Sequence, residues 1–195
     1  TSDLNRSLLY SSYSMDFDSA SNQWIELTGS QSLFNSLTAF SVSLWLNPSA
    51  TQAAYTSPFS FKSASTQYLK LNFGATPSNN QLEIAFRNSA TATATSSVNS
   101  IPLNTWTNVI VVFDASSSLS LYVNGSLDGQ DTTSLPTSAV QSTNIYIGTD
   151  AGSTDARDFN GKISNVSIFN KALSENDILT IYNGGAPNDI SSLSP

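Results

Sequence analysis

The stretch of sequence that decides the fold is residues 159–182, which read FNGKISNVSIFNKALSENDILTIY. Val166 and Ile168 alternate with polar residues at period two, and Ile163 precedes them. Such alternation is typical of a half-buried β-strand, because successive side chains of a strand point to opposite faces. Asn170 and Lys171 follow the last apolar position. The first half of the stretch therefore predicts a strand that ends at about residue 170.

The second half of the same stretch predicts one short helix. Ser174 stands three residues before Asp177, which resembles a capping box at a helix start. Ile178, Ile181 and Tyr182 then fall on one helical face. The helix ends at Asn183-Gly-Gly, which is followed by a proline that cannot continue it.

Runs of alternating apolar and polar residues recur through the rest of the chain. Residues 40–46 and 82–86 alternate at period two, whereas 110–113 form a continuous apolar run that predicts a fully buried strand. Asn124-Gly125 is a strong hairpin signal, because both residues tolerate the positive φ of a type I′ turn. Thr91, Thr93 and Thr95 predict an exposed strand. Together these patterns predict antiparallel sheets with one solvated face.

Six stretches resemble, in the right order, the motifs of the concanavalin A-like superfamily, in its laminin G-like form. They are MDFDSASNQWIEL at 15–27, FSVSLWLNP at 40–48, WTNVIVVFD at 106–114, LSLYVNG at 119–125, IYIG at 145–148 and FNGKISNVSIFNKALS at 159–174. The resemblance spans about residues 13–183. It implies an all-β, two-sheet antiparallel jelly-roll sandwich of about a dozen strands, with one short C-terminal helix.

The chain divides into one domain and two polar ends. We expect an N-terminal arm or linker at residues 1–12, a laminin G-like jelly-roll domain at 13–185 and a C-terminal tail at 186–195. The tail resembles those of phage-encoded relatives. The family resemblance therefore extends to domains of phage or bacterial surface proteins.

Composition restricts the classes of partner. The net charge is −7, only 11% of residues are charged, and the seven basic residues are scattered. A phosphate-tracking patch is not expected, so nucleic acid is set aside as a partner. An acidic, weakly charged chain is little attracted to anionic lipid, and no apolar run reaches the ~18 residues of a membrane span, so membrane insertion is not expected.

The residue inventory argues against an enzyme. The absence of His and Cys removes imidazole and thiol chemistry. Glucanases of this superfamily carry clustered carboxylates on one strand, whereas Glu26, Glu83 and Glu175 are far apart in this sequence. A pair of Asp residues brought together by folding is the alternative that remains open. The prediction is a non-catalytic protein.

Calcium is the candidate cofactor, because related modules hold Ca²⁺ with Asp, Asn and backbone carbonyl oxygens. The resemblance places Asp18 and Asn22 in the opening loop that often supplies such ligands. The loop from Asp150 to Asp158 offers Asp155 and Asp158 as further metal ligands, or is simply a solvated loop with one of them near Arg157. Relatives carry Asp-Glu where this chain has Ser164-Asn165, a departure that removes two candidate carboxylates.

The candidate ligand-binding residues are Tyr55, Asp150, Asp155 and Asp158. Tyr55 lies in a loop-like stretch and is available to stack on a sugar ring. Trp45 and Trp106 lie inside motifs that form the core in the family, so packing is the favoured interpretation for both. Trp45 is out of phase with the apolar positions around it and is expected to cover the other face of its sheet or to lie against a partner.

Two functions are compatible with this sequence. The first is a carbohydrate- or glycoprotein-binding adhesion module on an extracellular or virion surface, whose partners are glycans. The alternative is a structural virion or surface-assembly protein, such as a capsid decoration or tail-fibre component, which binds neighbouring proteins or further copies of itself. Saturable binding of a free sugar favours the first, and self-association favours the second.

Overall fold

A computed structural model describes residues 13–30, 33–64, 67–76, 79–138, 144–150, 157–188 and 190. Its strands form two six-stranded sheets in which all neighbouring strands are antiparallel. Sheet A has the order β1 (Met15–Phe17), β12 (Gly161–Phe169), β3 (Ala39–Pro48), β8 (Thr107–Asp114), β9 (Ser118–Val123), β10 (Ser126–Asp131). Sheet B has the order β2 (Ile25–Leu27), β11 (Asn144–Ile147), β4 (Phe59–Ala64), β5 (Gln67–Phe73), β6 (Leu82–Asn88), β7 (Ala90–Thr95). The predicted two-sheet jelly roll is confirmed.

The core lies between the two sheets and follows from the alternation in the sequence. Phe40 and Leu44 of β3 are fully buried and point towards sheet B. Phe61 of β4 points back and stacks on Phe34, with ring centroids 4.3 Å apart. Interdigitating aromatic and aliphatic side chains of this kind form the interior of a sandwich.

The outer face of sheet A carries the helix. Helix α1 (Glu175–Tyr182) begins with the predicted capping box between Ser174 and Asp177. Its Ile178 and Ile181 pack on Ile110 and Val112, in a second apolar cluster separate from the main core. Strand β8 is therefore buried on both faces, which explains the continuous apolar run in its sequence.

A bulge interrupts β12, the strand predicted from simple alternation. The pairing of β12 with β3 changes register between Ser164 and Ser167, and Asn165 has a positive φ of 50°. Ile163 and Ile168 nevertheless both contact the core, which an unbroken period of two would not allow across an odd separation. The extra residue of the bulge brings the side chains of Ile163 and Ile168 to the same face of the sheet.

The outer face of sheet B is polar. It carries Lys62, Lys70, Arg87 and the exposed threonines predicted for β7. Because α1 packs on sheet A, no helix covers this face in the part of the chain that the structure describes. The sandwich thus presents one helix-covered face and one polar face.

Carboxylates join the two sheets at the β7–β10 edge. Asp131 accepts a hydrogen bond from the Thr93 backbone N–H at 3.0 Å, and Asp128 accepts one from the Ser97 backbone N–H at 3.0 Å. These side chains occupy N–H groups that an edge strand otherwise leaves unpaired. Among the described residues, no helix is long and apolar enough to cross a bilayer.

Candidate functional site

Tyr55 lies in a tight turn between β3 and β4. The Thr56 N–H donates to the Ala53 carbonyl at 3.2 Å, which closes the turn, and the Tyr55 N–H donates to the Phe73 carbonyl at 3.0 Å. Tyr55 has a φ of +64° and is 44% exposed. The other non-glycine residues with positive φ in the described chain are Asn or Ser, so a bulky side chain in this conformation is an outlier held by its surroundings.

Arg157 lies against the exposed tyrosine and is held by a buried carboxylate. Its guanidinium carbon is 5.4 Å from the centroid of the Tyr55 ring. Its Nη1 donates to Asp150 Oδ2 at 2.8 Å, and Lys70 Nζ donates to the same oxygen at 2.8 Å. The Asp150 side chain is only 1% exposed. A carboxylate shared by two cations fixes the direction of both side chains.

Two further tyrosines lie on the same outer face of sheet B. Lys70 Nζ is 5.0 Å from the centroid of the Tyr68 ring. The Tyr146 hydroxyl donates to Glu26 Oε1 at 3.2 Å, across the β11–β2 pair. We call this surface, from Tyr55 and Arg157 across Lys70 and Tyr68 to Tyr146, the polar face. It combines aromatic rings with fixed hydrogen-bonding groups.

The remaining candidate ligand residues divide between described and undescribed parts of the chain. Asp158 is nearly buried, and its Oδ1 accepts a hydrogen bond from the Thr149 hydroxyl at 2.6 Å. Asp155 lies outside the described residues. The structure thus brings Tyr55, Asp150 and Arg157 together, with Asp158 adjacent to Arg157 in the chain.

Asp18 caps a single 3-10 turn at Ser19–Ser21. Its Oδ1 accepts from the Ala20 N–H at 2.9 Å and its Oδ2 accepts from the Ser21 hydroxyl at 2.7 Å. These hydrogen bonds, that from Ser21 first, lower the pKa of Asp18 below its ordinary value because they stabilise the carboxylate. Asn22 follows in the left-handed conformation with a φ of 50°.

Two of the candidate carboxylates, Asp18 and Asp150, already have polar or charged neighbours among the described residues. Both carboxylate oxygens of Asp18 already accept hydrogen bonds within its own turn. The Oδ1 atom of Asp150 is buried and without a hydrogen-bond partner among the described residues, but a cation there would face Lys70 and Arg157. No group of three acidic side chains suited to a metal occurs within the described ranges. Calcium binding that involves Asp18 and Asn22, or Asp155 and Asp158, stays a prediction.

A separate pocket lies on the outer face of sheet A, beside α1. Three aromatic and two serine residues line it, Tyr13, Ser14, Trp45, Trp106 and Ser164, and the segment after α1 closes one side. Trp45 is buried, as predicted, and stacks on Tyr182 with centroids 6.2 Å apart. The core assignment of Trp106 is wrong: its side chain is 39% exposed, because it precedes β8 and turns outward into this pocket. We call this feature the Trp pocket.

Comparison with protein families decides the relationship. The family model for the concanavalin A-like lectin/glucanases superfamily, in its laminin G form, matches residues 18–179. The chain belongs to this superfamily. A search of the curated proteins finds no match by sequence.

Solved structures of this concanavalin A-like fold include several domains with bound sugars. Domain 4 of the GH43 extracellular arabinanase AbnA from Geobacillus stearothermophilus, in complex with arabinotriose, has a TM-score of 0.62 at 18% identity, covering 85% of this chain and 74% of that chain. The CBM40 of the Ruminococcus gnavus IT-sialidase, bound to α2,3 sialyllactose, has a TM-score of 0.61 at 16% identity, covering 75% of this chain and 84% of that one.

A third similar structure comes from botulinum neurotoxin type C, whose cell entry is dependent upon interaction with two ganglioside molecules. Its TM-score is 0.59 at 22% identity, and the alignment covers 76% of this chain but only 37% of the neurotoxin chain. At these identities the likeness is one of fold.

Within this concanavalin A-like domain, sequence reasoning missed the cations that organise the polar face. The sequence indicates Arg157 only as a neighbour of Asp155 or Asp158, and it indicates no role for Lys70. The signal for Lys70 is its place in β5, where it alternates with the buried Leu69 and Leu71 and must point outward. Its pairing with Asp150, 80 residues away, depends on the sheet topology.

Proposed function

We propose that this domain is a non-catalytic carbohydrate-binding module whose binding surface is the polar face. The observation that carries the proposal is Tyr55, an exposed aromatic ring held in a strained backbone conformation and braced by Arg157. Strained residues that the surroundings hold in place cluster at ligand-binding sites.

The chemistry of the polar face suits a polyhydroxylated ligand. The free side of an aromatic ring packs on the apolar C–H face of a sugar, and charged side chains in fixed positions bond its hydroxyl groups. Arg157 and Lys70 supply donors, and Glu26, beside Tyr146, supplies acceptors at the far end of the face. Because Asp150 holds both cations in advance, little side-chain entropy is lost when a glycan binds.

The same-fold structures and the residue inventory support a binding role. The arabinanase domain and the CBM40 are each in complex with a sugar, and this chain has neither His nor Cys. The three Glu residues lie on β2, on β6 and in α1. An extracellular or virion surface is the setting in which such a module would meet glycosylated partners.

A glycan array of the full chain tests the proposal, run with millimolar calcium and again with EDTA. We expect binding that survives EDTA and that falls about tenfold or more in Tyr55→Ala, the loss typical of a central aromatic anchor. Leu127→Ala is the matched control, because Leu127 is similarly exposed but lies on β10 of sheet A. Absence of binding in both buffers would contradict the proposal and favour the assembly role.

A further inference from the structure

We propose that the Trp pocket is a second binding site, distinct from the polar face, that accepts one neutral sugar ring. The pocket has a volume of about 200 Å³. For comparison, an apolar cavity of about 150 Å³ accommodates benzene. The size therefore suits a single six-membered ring with its substituents and is too small for a folded peptide segment.

The aromatic residues of the Trp pocket are arranged as ligand contacts as well as packing. Trp45 is fixed, because one side of its indole stacks on Tyr182 at an interplanar angle of 20°. Trp106 and Tyr13 are both exposed at the rim. Leaving a tryptophan in water forgoes the burial energy that its large apolar surface would otherwise supply. A ligand ring can pack beside the exposed indole of Trp106 and the fixed indole of Trp45.

The polar atoms of the Trp pocket come from hydroxyl and backbone groups. Ser164 pairs with Trp45 across the β12–β3 register, so the hydroxyl lies beside the indole on the same face. Its Oγ donates to the Tyr13 carbonyl at 3.0 Å, which leaves oxygen lone pairs that can accept from a ligand. Ser14 brings a second hydroxyl from the residue before β1. A purely apolar ligand would leave the free acceptor capacity of these hydroxyls unused.

The uncharged lining sets the ligand class. Of the lining residues that the structure describes, none is ionisable in the neutral pH range. An acidic sugar would have to lose water from its carboxylate with no cation among the described lining residues to receive it. A neutral pyranose meets both the aromatic and the hydroxyl groups without that cost.

The three indole N–H signals of the full chain provide the test. Two-dimensional ¹H–¹⁵N spectra, with the indoles assigned from Trp24→Phe and Trp106→Phe, are recorded during titration with methyl glucoside, galactoside and mannoside. We expect at least one neutral pyranoside to shift the Trp45 and Trp106 signals saturably and to leave Trp24, which does not line the pocket, unchanged. We expect glucuronate to bind at least about tenfold more weakly than the neutral pyranosides.

Variants separate this site from the polar face. Trp106→Ala and Ser164→Ala are expected to weaken the pyranoside affinity, the former about tenfold. Tyr55→Ala is expected to leave the indole shifts intact. The proposal is overturned if no neutral pyranoside shifts both pocket indoles, or if Tyr55→Ala abolishes the shifts. In the second case the polar face would still stand as a glycan site.

Discussion

Arg157 lies over the ring of Tyr55, with its guanidinium carbon 5.4 Å from the ring centroid. The two residues are 102 positions apart, and Ser57 N–H, which donates to the Arg157 carbonyl at 3.1 Å, ties their backbones together as well. The loop that carries Tyr55 and the segment before β12 that carries Arg157 therefore form one structural unit.

Asp150→Asn is expected to loosen this unit. The substitution keeps the shape of the side chain but removes the charge that Arg157 and Lys70 share, each at 2.8 Å. Two charge-assisted hydrogen bonds to a buried group are lost, so we expect the free energy of unfolding to fall by about 2 kcal/mol. Glycan affinity should fall as well, because Arg157 is no longer held against Tyr55.

Thermal unfolding and titration with an array-identified glycan check both effects. Asp16→Asn is the matched control, since Asp16 is exposed on β1, away from the polar face. If Asp150→Asn lowers stability but leaves glycan affinity unchanged, Asp150 is a purely structural residue.

Tyr55→Gly is expected to relieve backbone strain while it removes the proposed anchor. Tyr55 occupies the third position of its turn with a φ of +64°, where glycine has no steric penalty. Relief of the left-handed strain is worth about 1 kcal/mol, offset by the greater freedom of glycine in the unfolded chain and by the lost contact between the ring and Arg157. Urea unfolding measures the net change.

The comparison with Tyr55→Ala isolates the backbone effect. Alanine removes the same ring but keeps the steric penalty at positive φ. We therefore expect Gly to be more stable than Ala, with both equally deficient in glycan binding. Equal stability of the two variants would show that the turn is not strained at this position.

The sequence predicted the fold because its signals are local. The alternation in β3, the capping box at Ser174 and the Asn124-Gly125 turn, whose φ values are 50° and 78°, each depend on a few neighbouring residues. The bulge at Asn165 is different, because it depends on how β12 pairs with β1 on one side and with β3 on the other. Local periodicity carries no signal for it.

The candidate site was predicted only in part, for the same reason. Tyr55 was identified as an exposed aromatic because its surroundings in the chain resemble a loop. The acidic composition of the segment around Asp150 favoured a solvated loop, yet folding places Asp150 beneath two cations. Trp106 shows the converse: a motif that resembles a core element does not tell which member of the motif turns outward.

Acidification is expected to weaken the β7–β10 edge through Asp131. The N–H of Thr133 first, and that of Thr93 next, lower the pKa of Asp131 below its ordinary value of 3.8. A carboxyl whose pKa is lower in the folded state stabilises the fold above its unfolded pKa, and this contribution disappears as the pH falls through the folded pKa. We therefore expect the stabilising contribution of Asp131 to be lost at pH values below about 4.

Asp131→Asn measures that contribution. At neutral pH we expect the variant to be about 1 kcal/mol less stable, because one of its acceptor oxygens becomes an amide donor that faces an N–H group. The difference from the wild-type chain should shrink as the pH falls from about 4 towards 2. A difference that is constant across this range would show that the Asp131 charge plays no part in closing the edge.

Ser174→Ala is expected to destabilise α1 and, through it, the Trp pocket. Ser174 Oγ accepts from the Asp177 N–H at 3.2 Å, and Asp177 Oδ2 accepts from the Ser174 N–H at 3.0 Å. Loss of an N-cap costs about 1 kcal/mol. Because α1 carries Tyr182, which stacks on Trp45, we expect the Trp45 indole signal to move and broaden.

The matched control is Thr180→Ala, whose hydroxyl bonds the Asn176 carbonyl one turn earlier. That variant should change stability by less than ~0.5 kcal/mol and leave Trp45 in place. An unchanged Trp45 signal in Ser174→Ala would show that the pocket wall does not depend on the helix start.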